Sequence, residues 1–334
     1  MLLTPRPVAG SVEELVADAT SRTPMTAADS KSGATFERVV IDGDAYVLKH
    51  VSPDRDWIAR ACGDVGPWTV RIWSSGLLDH VPDGIDHTYA GAACTGRDGA
   101  VLMHDVGPWL VPEGDVPVAE ADHLAFLDRL AALHASFWGW TDDVGLLPLA
   151  NRFFMFGPWM VACEEALDFP ELVPVIARDG WVRLRELAPA MSAVLEPLTV
   201  DPSPLVEALE STPLTFVHGD TKTGNLGRHP DGRVILIDWA LPGRSAGCLE
   251  LAHYLALNRS RIPSRFTPEA TIAAYRDALE RHGIDTAPWW ERQLALSLLG
   301  IMVQLGWEKA LGPPDDLAWW QTHVREGAEL LDSS

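Results

Sequence analysis

The chain is short of basic residues, of paired cysteines and of any apolar run long enough to cross a bilayer, and each shortage removes a class of function. Only 26 lysines and arginines face 47 aspartates and glutamates, a formal charge of −21 over 334 residues. Without the basic footprint that gives affinity for phosphate backbones, nucleic acid is excluded as the main partner. The four cysteines, Cys62, Cys94, Cys163 and Cys248, form no C-x-x-C pair. That removes a zinc ribbon and a dithiol redox site and leaves four thiols expected to be buried. The most apolar stretch, Leu294 to Leu305, is shorter than the ~20 residues a span needs and is interrupted by Ser297 and Gln304, so it reads as a core helix and no membrane is expected as a partner. The first residues, MLLTPRPVAGSVEELV, lack a basic segment followed by an apolar one, so no secretory signal is read and a cytoplasmic location is expected. Neither H-E-x-x-H nor G-x-x-x-x-G-K occurs, which excludes a zinc protease and a P-loop.

What is present can build a large core. Apolar residues make up 47% of the chain, enough for a globular fold of about two domains or lobes without disulfides or metal clips. The acidic excess serves solubility and favours a small cationic ligand over an anionic one.

The periodicity changes along the chain. Ser11 and Glu14 form an S-x-x-E capping box ahead of a helix expected over 12–19. Phe36 to Lys49 shows two β-rich runs around Asp42-Gly43-Asp44, the signature of a tight hairpin. Further strands are expected at Thr69–Trp73 and Ala100–His104, with one helix at 54–62. Beyond Gly107 the pattern is helical: a long helix over 119–137, short helical segments broken by prolines over 151–212, a β interlude at 214–238, and helices from Leu249 to Leu331 with a loop near Pro313-Pro314. These features give an α+β chain with a small antiparallel-sheet N-terminal lobe over 1–104 and a mainly helical C-terminal lobe over 105–334, meeting near 103–107.

The chemistry concentrates in Leu214 to Trp239, LTFVHGDTKTGNLGRHPDGRVILIDW. A polar loop carries Asp220, Lys222 and Asn225. Pro230-Asp231-Gly232 turns the chain, and the apolar strand Val234 to Ile237 delivers Asp238 at its end. An antiparallel return would bring Asp238 close to Asn225. A carboxylate to take a hydroxyl proton, two oxygen ligands for Mg²⁺ and a cation near the moving charge are the parts of phosphoryl transfer. The spacing from Asp220 to Asn225 equals that of an H-R-D-x-x-x-x-N catalytic loop, and the strand-end Asp238 follows 18 residues after Asp220.

His218-Gly219-Asp220, Asn225 and Ile237-Asp238-Trp239 resemble the H-G-D-x-x-x-x-N and I-D-[WF] motifs of the aminoglycoside phosphotransferases and choline-kinase-like small-molecule kinases, which share the protein-kinase-like fold. Val47-Leu48-Lys49 is similar to that family's strand bearing a phosphate-binding lysine. Val101 to Asp105 is similar to its hinge, and Leu130 to Trp138 to a helix common in such enzymes. The resemblance spans roughly residues 45 to 255, in the family's order. It implies a two-lobed protein-kinase-like fold with ATP or GTP and Mg²⁺ as cofactors. Asp220 would be the catalytic base, Asn225 and Asp238 the metal ligands and Lys49 the lysine on the α- and β-phosphates. Ser30 and Ser32 would cover the phosphates in place of a glycine loop, since the chain has no G-x-G, and Met103, His104 and Asp105 would meet the base. Lys222 would steady the transferred group. The helix after Lys49 offers no glutamate partner, only Asp54, Asp56 and Asp64, and Glu250 stands where the family usually has Asp.

The implied partner is a small-molecule hydroxyl acceptor, an aminoglycoside or other amine-bearing alcohol by charge, with a sugar, a choline-like amino alcohol or a macrolide as alternatives, and the chain is expected to be a monomer or homodimer. A catalytically inactive pseudokinase binding module is the alternative of another class. Gly243-Arg-Ser245-Ala-Gly247 matches a serine-hydrolase elbow, but Trp239 to Pro242 separate Ser245 from the preceding strand and no glycine-rich oxyanion segment precedes it. His218 is read as holding the loop, His134 as a core or interface histidine, Trp289-Trp290 and Trp319-Trp320 as core packing, and Glu164, Glu165, Asp168 and Glu171 as a solvated face that would otherwise receive a cation.

Overall fold

The structure, a computed structural model, describes residues 2–26, 33–167 and 172–332. Ser30, Ser32, Asp168 and Glu171 lie outside them.

Five strands form one antiparallel sheet: β1 (Ala19–Met25), β2 (Thr35–Ile41), β3 (Asp44–Val51), β5 (Tyr89–Thr95) and β6 (Asp98–His104), in the order β1-β2-β3-β6-β5. The β2–β3 hairpin turns where the D-G pair predicts, with Asp42 at φ 53° and Gly43 at φ 90°, the two positive φ values a two-residue hairpin loop of matching twist requires. Side chains alternate along β3. Leu48 joins Val39, Ala100 and Leu102 in a small cluster on the outer face, and Lys49 points the other way, toward the helical part.

Between β3 and the next short strand, β4 (Ile85–Asp86), lie α2 (Trp57–Cys62) and α3 (Trp68–Ser74). The second corrects the expectation of a strand at Thr69–Trp73. Asp64 accepts from Gly66 N–H at 3.1 Å and Trp68 N–H at 3.0 Å, which starts a helix, and burial of Val70, Ile72 and Trp73 outweighs their β preference. The first helix is also shorter than expected. α1 covers Val12–Leu15, and Glu14 caps the N–H of Gly10 while Ser11 caps that of Glu14, before the chain enters β1.

The remainder is helical apart from short ladders. It comprises α4 (Glu120–Ser136), α5 (Leu149–Phe154), α6 (Pro158–Glu165), α7 (Leu172–Leu187), α8 (Pro189–Val200), α9 (Ser203–Glu210), α10 (Gly247–Asn258), α11 (Pro268–Arg281), α12 (Trp290–Lys309) and α13 (Pro314–Asp332). The apolar run Leu294 to Leu305 lies in α12, which is buried nearly all round and packs against α7, α8, α10 and α13. No helix among the described residues is long and apolar enough to cross a membrane. Prolines start α6, α8 and α9, but the expected break at each proline fails at Pro197, which lies inside α8. Trp290 and Trp320 are core residues. Two expectations fail on burial: Cys163 is exposed and Cys94 only half-buried, and Glu164 is buried, receiving both Arg60 Nε (2.9 Å) and Nη2 (2.5 Å) instead of facing solvent.

Candidate functional site

The β interlude contains β7 (Thr215–Val217), β8 (Leu226–Arg228), β9 (Val234–Leu236) and β10 (Gly243–Ser245). The hairpin is β8–β9, with Leu226 opposite Leu236, while β7 pairs with β10. The first strand of the motif therefore does not pair with the second as expected. The consequence drawn from it holds, because Ile237 N–H donates to Asn225 O at 3.0 Å and sets Asp238 beside Asn225.

Four anchors fix the loop between β7 and β8. Glu250, on α10, accepts from Gly219 N–H at 2.5 Å and from His218 N–H at 3.2 Å. Buried Arg152, on α5, donates to Gly219 O at 3.1 Å and Leu241 O at 2.8 Å. Asn258, at the end of α10, accepts from Thr223 N–H at 2.7 Å and donates to Thr221 O at 2.9 Å. His218 donates from Nε2 to Ile237 O at 2.9 Å and accepts Asp220 N–H on Nδ1 at 3.2 Å, the neutral form that burial favours by pushing its pKa down. His218 thus holds the loop, as the sequence suggests. Gly219 sits at φ +90°, where a Cβ would lie 2.1 Å from Leu241 O, so only glycine fits between α5 and the loop.

Glu250 is the centre of this brace. Its Oε2 lies 2.7 Å from His134 Nε2, and His134 Nδ1 shares a 2.5 Å hydrogen bond with the Tyr275 hydroxyl. Burial alone would raise the Glu250 carboxyl, but His134 and the Gly219 N–H outweigh it and bring it down to about 2. The glutamate at this position therefore works as a fully buried carboxylate, and His134 is a core histidine with a specific partner.

The side chains of the loop bond one another and meet those that follow β9. Asn225 Nδ2 donates to Asp220 Oδ2 at 2.8 Å and to Asp220 O at 2.8 Å. Because its amide nitrogen is used there, the Asn225 carboxamide oxygen is the group left for a cation. His253 Nε2, from α10, stands 3.8 Å from Asp220 Oδ1. It carries no motif, and no sequence signal pointed to it. Opposite, Lys49 Nζ reaches Asp238 Oδ1 at 2.5 Å, with the lysine buried and the carboxylate about one-third exposed. Lys49 is thus no solvated edge charge, and the partner sought among Asp54, Asp56 and Asp64 is Asp238 from the other side of the cleft. Asp56 instead caps α2 through Ile58 and Ala59 N–H, and burial raises its pKa. Burial would raise Asp238 too, but Lys49, with Lys222 and His218, holds it below the usual carboxylate range. Asp238 adopts φ 63°, a left-handed conformation that few residues other than glycine, asparagine and aspartate adopt and that concentrates at functional positions. Lys222 is half-buried and within electrostatic reach of Asp238.

At the sheet end, Met103 is buried, His104 N–H donates to Thr88 O at 2.9 Å and Asp105 N–H to Ala45 O at 3.0 Å. Those two donors are occupied within the protein. Ser245 is buried at the end of β10, not exposed on an elbow. The donor set of a carboxylate and a carboxamide oxygen fits a hard cation such as Mg²⁺, which takes one or two protein oxygens and completes its shell with water and phosphate. Among the described residues no cluster of three or more histidine, cysteine or acidic side chains is arranged for a metal.

No family model matches the sequence, and no curated protein matches it. Solved structures do. The chain is similar to a microcompartment-associated aminopropanol kinase (13% identity, 93% of this chain and 92% of that one, TM-score 0.50). It is similar to the choline kinase LicA of Streptococcus pneumoniae in complex with AMP (12% identity, 96% and 97%, TM-score 0.50). Aminoglycoside phosphotransferase APH(4)-Ia also matches, at 13% identity over 96% and 97% with a TM-score of 0.49. At these identities the likeness is one of fold: a five-stranded antiparallel sheet joined to a helical body, as in small-molecule kinases.

Proposed function

We propose that this chain is a phosphotransferase that moves the γ-phosphoryl group of ATP to a hydroxyl of a small molecule. The observation that carries the reading is the convergence of Asp220, Asn225, Lys49 and Asp238 from separate segments of the chain: Asn225 bonds Asp220, Ile237 N–H bonds Asn225 O, and the next residue, Asp238, pairs with Lys49. Aminopropanol, on which one of the similar proteins acts, is an amine-bearing alcohol. The acidic charge of this chain makes the same class the first to test.

ATP with Mg²⁺, when bound, supplies the transferable phosphoryl group and neutralises its charge. Asn225 and Asp238 would hold the metal, through the carboxamide oxygen and the carboxylate. Lys49, brought to the cleft by β3, would move from Asp238 to phosphate oxygens, and its buried stem limits where the ammonium can go. Asp220, with Oδ2 held by Asn225, would accept the acceptor's hydroxyl proton. Lys222 would lie beside the oxygen that gains charge. Ser30 and Ser32 would cover the phosphates, and Met103, His104 and Asp105 would line the base, with carbonyls rather than the occupied N–H groups of His104 and Asp105 facing it. Most of the acceleration would come from positioning and fixed charge.

The test is a coupled assay of ADP release with MgATP against a panel of amine-bearing alcohols, sugars and macrolides. Acceptor-dependent turnover that disappears in Asp220→Asn supports the assignment. Turnover unchanged in that variant contradicts it, and nucleotide binding without turnover for any acceptor favours an inactive binding module.

A further inference from the structure

Behind the 219–225 loop, a cavity of about 10 Å³ is lined by Ser245, Gln304 and His253, together with Arg152, Gly219 and Glu250. Three buried polar atoms in this lining have no hydrogen-bond partner among the described residues: Ser245 Oγ, Gln304 Oε1 and His253 Nδ1. Ser245 and Gln304 are 1% and 3% exposed, so bulk water does not satisfy them. Leaving three such atoms unpaired would cost several kcal/mol, about 1–3 each. The room matches one water molecule, and a polar site with three partners is where a buried water binds.

We propose that this cavity binds a structural water bridging Ser245, Gln304 and His253, and that through it His253 is a positioning residue for Asp220. The inference rests on the phosphotransferase reading only for the role of Asp220. The hydrogen bonds have one self-consistent direction. Gln304 Nε2 donates to Arg152 O at 2.6 Å, so its Oε1 faces the cavity and can only accept. The water gives one hydrogen to Gln304 Oε1 and the other to His253 Nδ1, and the Ser245 hydroxyl donates to the water. His253 then carries its proton on Nε2, which faces the Asp220 carboxylate at 3.8 Å and presents a donor to a negative charge. The opposite direction would aim a lone pair at that carboxylate. With Asn225 on Oδ2 and His253 toward Oδ1, Asp220 is steadied from both sides. Burial keeps His253 neutral by lowering its pKa to about 4, which agrees with a single ring proton.

Ser245, His253 and Asp220 thus stand in the order of a Ser-His-Asp triad without its use. Neither Ser245 Oγ nor His253 Nδ1 reaches the other directly, and a space of one water admits no acyl group.

Three readouts test the proposal on the full chain. A high-resolution crystal structure should show one water within hydrogen-bond distance of all three atoms; a cavity without water would overturn it. Nitrogen NMR of the free protein should show the His253 proton on Nε2 at neutral pH, and a proton on Nδ1 would contradict the mechanism. In MgATP turnover, His253→Asn should lower kcat by at least about tenfold with KM for MgATP unchanged. His253→Gln, whose amide nitrogen can stand in for Nε2–H, should recover much of that loss. Equal activities of the two variants would refute a positioning role. If His253→Asn does not fold, Ser245→Ala removes the donor to the water and should lower kcat by a few-fold. Labelling of Ser245 by a fluorophosphonate would contradict the bridging water outright. Absence of any MgATP turnover in the wild type would overturn the phosphotransferase reading alone, with the water and the tautomer still deciding the role of His253.

Discussion

The two walls of the cleft are held in different ways. On the helical side the 219–225 loop is clamped through its backbone: Glu250, Arg152, Asn258 and His218 each satisfy main-chain groups, and all four are themselves buried and bonded. On the sheet side Lys49 has one strong tie, the ion pair to Asp238 across the cleft. The wall that would orient a proton acceptor is built before any ligand arrives, whereas the wall that would grip phosphate holds its cation on a carboxylate that a metal could claim. Rigid positioning matters most where a proton moves, and an exchangeable ion pair suffices where a polyanion binds.

Breaking the braced wall at its tip should have the largest effect. Asp220→Asn keeps the hydrogen bond from Asn225 but removes the proposed base, and kcat should fall by about 10²–10⁴ with nucleotide affinity nearly unchanged. Steady-state kinetics beside a binding isotherm checks both halves. Breaking it at its root should cost stability as well. Glu250→Ala leaves His134 Nε2 and the N–H groups of His218 and Gly219 unpaired in the core, and the urea midpoint should report a loss of about 3–5 kcal/mol.

Acid sharpens the same contrast. The pKa of Glu250 in the folded state, about 2, lies below that of an ordinary glutamate, so its contribution is fully present above pH ~4.5 and lost as pH falls from there toward 2, on the order of 3 kcal/mol. His123, buried against Tyr254 and Phe266, has a pKa lowered to about 4 by burial. The unfolded chain therefore takes up protons first, and stability falls from pH ~6.5 down to ~4. Asp64, raised to about 6 by burial, works in the opposite sense between pH ~6 and ~4. Urea titrations at stepped pH should show a smaller loss between pH ~4.5 and ~2 in Glu250→Gln than in wild type. The smallest effect belongs to Lys222. Lys222→Met should reduce turnover by about tenfold, the scale of one positioned charge, and a change within a few-fold would remove it from the chemistry.

The site's outline was legible in the sequence because its signals are local. A D-G hairpin, a loop of fixed spacing and an apolar strand ending in Asp238 place their residues whatever surrounds them. What the sequence hid depends on distant packing. Thr69–Trp73 has strand-like residues and became a helix because Asp64 caps it and the core takes its apolar face. Tyr89–Thr95, poor in large residues, gave no strand signal and formed an edge strand through pairing with β6. The partner of Lys49 lies 189 residues away in the chain. Glu250 and His134 stood out in the sequence but their contacts did not, and Arg152, Asn258 and His253 carry no motif; only the folded arrangement brings them to the loop.

The central claim is that Lys49 and Asp238 form the nucleotide wall of this cleft. Calorimetric titration with a non-hydrolysable ATP analogue, with and without Mg²⁺, on wild type and Asp238→Asn tests it most directly. Magnesium-dependent binding that is lost in the variant is the predicted result. Binding that is indifferent to both magnesium and the substitution, or no binding at all, would contradict it.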